Sequence, residues 1–151
     1  MTFQELLLKT RGFEWEPPER LVAIDPGETI GYSYFKDGHF QLAGQSTDLK
    51  DFINILTGYN PTVVAYEEYR IYSNKLSQHT LSKIPTLKVI GGIELVCDIK
   101  DYKKIAQLAS TAKGFCTDLK LKEWGFYQSG KRHANDSIMH GCHALLFSKE
   151  L

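Results

Sequence analysis

Cysteine is scarce in this 151-residue chain. Cys97, Cys116 and Cys142 are odd in number and widely spaced, with no CxxC pair and no zinc-finger spacing. That excludes a disulfide scaffold and a zinc ribbon, and it is the cysteine usage of a reduced, intracellular protein. No apolar run approaches the ~20 residues of a membrane span. The Leu6-Leu7-Leu8 triplet sits among Glu5, Lys9 and Arg11, too short and too charged for a secretory signal. The expectation is a soluble, cytoplasmic protein without membrane association. Internal repeats, low-complexity tracts and Gly/Ser linkers are missing as well, so a second large domain has no boundary to sit at. The chain divides into an N-terminal extension, residues 1–20, and one domain, residues 21–151.

Net charge is also absent, with 18 basic and 18 acidic residues in balance. Taken alone, that argues against a polyanionic partner. The distribution says more. Residues 1–68 hold 5 Lys/Arg against 11 Asp/Glu, a net −6, and residues 69–151 hold 13 against 7, a net +6. Such asymmetry suits a basic face for nucleic acid set against an acidic metal site, and equally suits solvated surface charge clustered by chance.

What is present reads as an α/β domain. Leu21–Ile24 is a short apolar strand that stops at Asp25-Pro26-Gly27. Thr29–Phe35 and His39–Ser46 flank Lys36-Asp37-Gly38, a hairpin signal. Ser46-Thr47-Asp48 can cap a helix carrying Leu49, Phe52, Ile53 and Leu56, and Asn60-Pro61 ends it before a second buried-type strand, Thr62–Tyr66. Ser73 to Lys104 is mostly helical in pattern, broken at Pro85, with Thr86 a cap for a helix through Leu87, Ile90, Ile93, Glu94 and Cys97. Lys103–Leu108 reads as a short strand, Thr117-Asp118 as the start of a short helix ended by Gly125, and Arg132 onward as a final helix. The order predicts a mixed central sheet with flanking helices: three early strands in a meander, then a parallel pairing through a crossover helix.

Carboxylates stand at the ends of both apolar strands, Asp25 after LVAI and Glu67 after TVVAY. Each is in register with its strand's buried face, Leu21 and Ala23 in one case and Val63 and Ala65 in the other. An acid there is costly unless paired or bound to a metal, although a carboxylate one residue past a strand is also ordinary at a solvated turn. Glu68 lies on the opposite face. In the final helix His133, Asp136, His140 and His143 fall within an arc of about 80°, with Ala134, Ile138, Cys142 and Leu145 as an apolar stripe on another side. His133 and Asp136, at i and i+3, form the better functional pair. Whether His140 and His143 act is open. Three acids and a histidine on two strands and a helix suit a two-metal hydrolase, with Mg²⁺ preferred to zinc because the donors are oxygens and HxxD is not HExxH.

The segments AIDPGETIGYSYF, VVAYEEYRIY and RHANDSIMHGCHALL resemble, in order and spacing, the three motifs of the RuvC-type Holliday-junction resolvases, and among these the phage-encoded branch. The resemblance spans about residues 21–148 and leaves 1–20 without a counterpart. It implies an RNase H-like fold and a homodimer that cuts four-way or otherwise branched DNA. Two Mg²⁺ per active site are implied, with Mn²⁺ also supporting activity, and the host-cell cytoplasm is the setting if the protein is phage-encoded. By the same resemblance Asp25 is the first-strand acid bridging both metals and Glu67 the second acid, Glu68 being the competing alignment. Asp136 is the final-helix acid, and His133 binds metal or the attacking water. Tyr69 and Tyr72 match an aromatic thought to wedge into the junction, or simply pack.

The reaction so implied is in-line phosphodiester hydrolysis with paired symmetric nicks, leaving 5′-phosphate and 3′-hydroxyl ends. A histidine among the ligands favours Mn²⁺ over Mg²⁺. Candidate DNA contacts are Tyr69, Arg70, Tyr72, Lys75, Lys104, Lys131 and Arg132, within a wider set that includes Lys83, Lys88, Lys100, Lys103 and Lys113. The helix around Leu87–Cys97, through Val89, Ile90, Ile93 and Val96, is the candidate dimer interface or an ordinary core helix. The competing functions are another RNase H-like nuclease, acting on flap DNA or an RNA-containing duplex, and a catalytically silent junction-binding protein.

Overall fold

A computed structural model describes residues 1–69 and 84–151. The expected meander forms. Strand β1 (Arg20–Asp25) pairs antiparallel with β2 (Ile30–Lys36), which pairs antiparallel with β3 (His39–Ser46). Asp37 and Gly38 both take positive φ at the hairpin, as its Asp-Gly signal requires. On its other edge β1 pairs parallel with β4 (Val63–Glu68), and β4 pairs parallel with β5 (Lys103–Leu108). The five strands lie in the order β3-β2-β1-β4-β5, a mixed sheet with helices on both faces.

One face is covered by α2 (Leu49–Tyr59) and α3 (Ile84–Lys100). Asp48 caps α2 by accepting from the Asp51 backbone N–H at 2.8 Å, and Asn60 ends it in the left-handed conformation. Pro85 does not precede α3 as a break. It lies inside the first turn, where its missing N–H is one the helix leaves unpaired anyway. Val22, Ile24, Val64 and Tyr66 meet Phe52, Leu56, Val89 and Ile93 in this layer. The residues proposed for a dimer interface therefore face inward: Val89 and Ile93 are buried, and Ile90 and Val96 pack against the same cluster. The exposed large apolar side chains of α3 are Ile84, Leu87, Leu95 and Ile99.

The other face is covered by the last helix, α6 (Arg132–Phe147), with α1 (Phe3–Arg11), α4 (Ala109–Phe115) and α5 (Asp118–Trp124) around it. Helix α4 has no counterpart among the elements expected from the sequence pattern. The sequence pattern predicts a single apolar stripe for α6, but the helix is buried on nearly every side, with every residue from Ala134 to Leu146 except His143 buried. It lies so close to β2 that a Cβ at Gly141 would meet the Phe35 ring at 2.3 Å.

Residues 1–20 supply α1, opened by a capping box between Thr2 and Glu5. Its Phe3 and Leu7 enter the α6-side core. Arg11 caps the far end of α6, donating to the carbonyls of Leu145 (2.7 Å), Ala144 (3.1 Å) and Ser148 (2.8 Å). Cys97, Cys116 and Cys142 are free and buried. Among the described residues no helix is long and apolar enough to cross a membrane.

Candidate active site

Parallel pairing of β1 with β4 puts Ala23 opposite Ala65 and Ile24 opposite Tyr66. The next residues on the α6 side are Asp25 and Glu67, so the two predicted strand acids end side by side. They border a cleft of about 630 Å³ that also holds His133, Asp136, Lys113 and Thr86.

Two features of the neighbouring strands bring the start of α6 to this point. Gly31 pairs with Asp25 across the β1–β2 ladder, and a Cβ there would lie 1.9 Å from the His133 carbonyl oxygen. Only a residue without a side chain admits the helix so close. Lys131, at the N-cap, makes no capping hydrogen bond. Instead Gln45 on β3 accepts from the backbone N–H groups of His133 (3.0 Å) and Ala134 (3.2 Å). Asn135 ties down the preceding loop, accepting from the Gln128 N–H and donating to the Gln128 carbonyl, both at 2.8 Å. Ser137 is fully buried and donates to the Ala134 carbonyl at 2.6 Å, a packing role.

The result is a compact acidic cluster. His133 Nδ1 lies 2.9 Å from Asp25 Oδ2, with Asp25 buried and His133 about 44% exposed. Lys113, carried by α4, places its ammonium 3.5 Å from Glu67 and 3.2 Å from Asp136. Arg132 pairs with Asp136 at 3.3 Å and with Asp118 at 2.6 Å. The fully buried ring of His140 lies 3.2 Å from Glu67 through Nε2.

Positive charge in this cluster does not match negative charge, and the carboxyls divide accordingly. Asp25 is pushed up to about 7, first by burial and then by Glu67 beside it, against the favourable His133 contact. Burial opposes ionisation of Glu67 too, but the His140 hydrogen bond and the Lys113 ammonium outweigh it and hold that carboxyl down at about 2. Of the two carboxyls, Asp25 is the one whose ionised form the site disfavours. Burial alone would lower the Lys113 ammonium; Glu67, Asp136 and Asp25 raise it instead.

Among the described residues no three acidic or imidazole side chains already stand around one point as a metal's ligands do. The Lys113 ammonium is shared by Glu67 and Asp136 in that place. The donor set nonetheless fits a hard divalent cation. Three carboxylates and an imidazole face one cleft, two of the carboxylates already share one cation, and the third, Asp25, is buried beside Glu67 with its pKa raised.

The four residues expected to form the site, Asp25, Glu67, His133 and Asp136, are thus brought together, and Glu68 and Tyr69 border the same cleft. Arg132 stands at its edge on Asp136, and Lys131 directly precedes it, exposed. Lys104 lies elsewhere, near the start of β5 and three residues before Gln107, paired with Asp98 at 2.5 Å. Arg70, Tyr72, Lys75 and Lys83 lie outside the described residues. Lys113 had been only one of many phosphate candidates, and nothing in its Ala-Ser-Thr-Ala context marked it. Gln45 and Gln107 were missed altogether. For Gln107 a signal existed: it alternates with buried Ile105, a polar side chain at an inward strand position.

No protein-family model matches the sequence, and no curated protein sequence matches it. Solved structures do match. The Thermus thermophilus RuvC bound to Holliday-junction substrate superposes with a TM-score of 0.63 at 14% identity, over 83% of this chain and 92% of that one. The Fowlpox virus resolvase, in complex with Holliday-junction DNA, gives 0.56 at 18% identity over 83% and 96%. The yeast mitochondrial Holliday-junction resolvase Ydc2 gives 0.56 at 13% identity over 94% and 84%. The fold is therefore the RNase H-like fold of the RuvC-like resolvases.

Proposed function

We propose that this chain is a divalent-metal-dependent endonuclease that resolves four-way DNA junctions by paired, symmetric nicks. The observation that carries the reading is the convergence of Asp25, Glu67 and Asp136 with His133 on one cleft at the strand ends of an RNase H-like sheet. The HxxD spacing at the start of α6 and the histidine four residues after Asp136 favour the phage-encoded branch of such resolvases.

In this reading Asp25, Glu67, Asp136 and His133 would together hold the divalent metal. The bound ions supply Lewis-acid stabilisation of the phosphoryl oxygens and lower the pKa of water. The chain's own groups then have distinct tasks. Asp25, buried at the end of β1 beside Glu67, would contribute a carboxylate that a cation's charge would favour in its ionised form. Lys113 keeps Glu67 and Asp136 converging and brings positive charge to the cleft where a phosphate must approach. Arg132 and Lys131 extend that charge along the rim, so affinity for DNA falls steeply with added salt. A junction has near two-fold symmetry and needs two cuts, which calls for a homodimer with one site per chain. His133 as a nitrogen donor makes Mn²⁺ the better activator and Mg²⁺ the usual one.

The test compares a labelled four-way junction, a linear duplex, a flap and an RNA–DNA hybrid, each with Mg²⁺, Mn²⁺ or chelator, beside Asp25→Asn. Paired nicks confined to the junction, dependent on metal and lost in the variant, are the expected result. Preference for the flap or hybrid reassigns the substrate, and tight junction binding without cleavage in either metal overturns the catalytic reading.

A further inference from the structure

One buried polar chain behind the site has no part in the chemistry just described. His140 is 0% exposed and Gln107 8% exposed, yet both are strongly polar and both lie between α6 and β5. With the Gln107 amide oriented so that both its ends are satisfied, its NH₂ group donates to His140 Nδ1 and to the His140 carbonyl, each at 3.0 Å. Its oxygen then accepts from the Ala144 N–H at 3.3 Å. Three contacts to α6 leave the amide no freedom to turn. Because Nδ1 accepts, the ring proton of His140 belongs on Nε2, the atom 3.2 Å from Glu67 Oε2.

Resting on the nuclease reading above, we infer that Gln107 and His140 form a positioning relay. Gln107 fixes the His140 tautomer so that its Nε2–H holds the Glu67 carboxylate in the orientation required for metal ligation. Neither residue touches substrate or metal. The relay has a clear physical purpose. Glu67 sits at the end of β4, a quarter exposed, and a glutamate side chain left to itself samples several rotamers. Lys113 steers it only as a point charge on a flexible stem. A directional N–H donor on a buried ring, itself locked by an amide, limits one carboxylate oxygen to a single direction and leaves the other for a cation. Outer partners of this kind are known to orient ligands and set metal affinity.

The experiment has two readouts besides cleavage. Nitrogen–proton correlation spectra of the metal-free protein report which ring nitrogen of His140 carries the proton. Calorimetric titration with Mn²⁺ then compares wild type, His140→Leu, His140→Gln and Gln107→Leu. The expected spectrum shows a protonated Nε2 and a bare Nδ1. His140→Leu binds Mn²⁺ about 10- to 100-fold more weakly, and kcat for the junction falls while KM is little changed. His140→Gln, whose amide can donate from nearly the Nε2 position, recovers most of the affinity. Gln107→Leu, which leaves the ring in place, shows mixed tautomers and an intermediate loss, so the inference is tested even if His140→Leu fails to fold.

A proton on Nδ1 in the wild type, or Mn²⁺ affinity unchanged in folded His140→Leu, overturns the relay while leaving the nuclease intact. His140-dependent Mn²⁺ binding with no DNA substrate cut supports the relay and sinks the junction reading. A wild type that binds no divalent metal overturns both.

Discussion

On the α2/α3 face of the sheet, Val22, Ile24, Val64 and Tyr66 pack against Phe52, Leu56, Val89 and Ile93. Among the described residues no charged, amide, imidazole or aliphatic hydroxyl side chain is buried there. The α6 face differs. Asp25, Ser33, Gln107, Asn135, Asp136, Ser137 and His140 are all buried in α6 or at strand positions turned toward it. Alternation along the strands separates the two sets, so Ile24 and Asp25, or Tyr66 and Glu67, belong to different layers one residue apart. Burying polar groups is unfavourable unless each finds a partner. One face is thus an apolar layer that favours stability, and the other gives up stability to hold a charged and polar cluster in place.

The sharpest way to break the comparison is to neutralise the acid that costs the α6 face most. Asp25→Asn should reduce metal-dependent cleavage ~10³-fold or more, in line with the loss of a preorganised electrostatic group. It should also make the metal-free protein more stable near neutral pH. The sign follows from the shift. Asp25 binds its proton more tightly folded, at about 7, than unfolded, at 3.8. Its contribution is therefore fully present below about pH 4 and is lost as pH rises toward 7, by a few kcal/mol at most. Glu67, held at about 2 against 4.5, works the other way and loses its contribution only as pH falls below 4.5. Urea unfolding in chelator at pH 4.5 and 7.5 checks this: the wild type should weaken between the two and Asp25→Asn should not. Equal pH dependence in both proteins refutes the assignment.

On the opposite face the pattern reverses. Phe52→Ala empties a fully buried site and should cost about 3–5 kcal/mol of unfolding free energy. The rate per folded molecule and the Mn²⁺ affinity should stay at wild-type values at a temperature where the variant remains folded. A loss of metal affinity there would show that the two faces are coupled through the sheet.

Much of this division was legible in the sequence. The strands and their acids show because apolar runs ending in Asp25 and Glu67 carry a period-two signal, and the Asp37-Gly38 hairpin and the Thr117 and Gly125 caps act through local backbone chemistry. What stayed hidden depends on tertiary contact. Helix α4 has no amphipathic pattern long enough to register, so Lys113 could not be placed. Gln107 and His140 meet only when β5 lies under α6. The inward face of α3 could not be told from its outward face, because the helix is apolar nearly all round and its hydrophobic side chains do not mark one direction.

Gly31→Ala tests how the site is placed rather than what it contains. The added Cβ would occupy the same space as the His133 carbonyl, so the start of α6 must shift. We expect about 1–3 kcal/mol of destabilisation, as for other overpacked sites, together with weaker Mn²⁺ binding, because His133 and Asp136 move with the helix end. Stability lost with metal affinity intact would mean that the strand yields instead of the helix.

The smallest expected effect discriminates most finely. Gln45 is the group that caps α6, and it does so from a different element, β3, through the N–H groups of His133 and Ala134. Loss of a helix cap typically costs about 1 kcal/mol, so Gln45→Leu should lower stability by that amount and no more. If the cap only terminates a helix, metal affinity will follow stability and change little, since α6 is also gripped by Arg11 at its other end and by close packing on β2. If it also fixes the phase of the first turn, the His133–Asp25 contact loosens and Mn²⁺ binding weakens by more than the stability change implies. The second outcome is expected, because the two N–H groups Gln45 holds are those of His133 itself and of its immediate neighbour, and no side chain at Lys131 can take over the task.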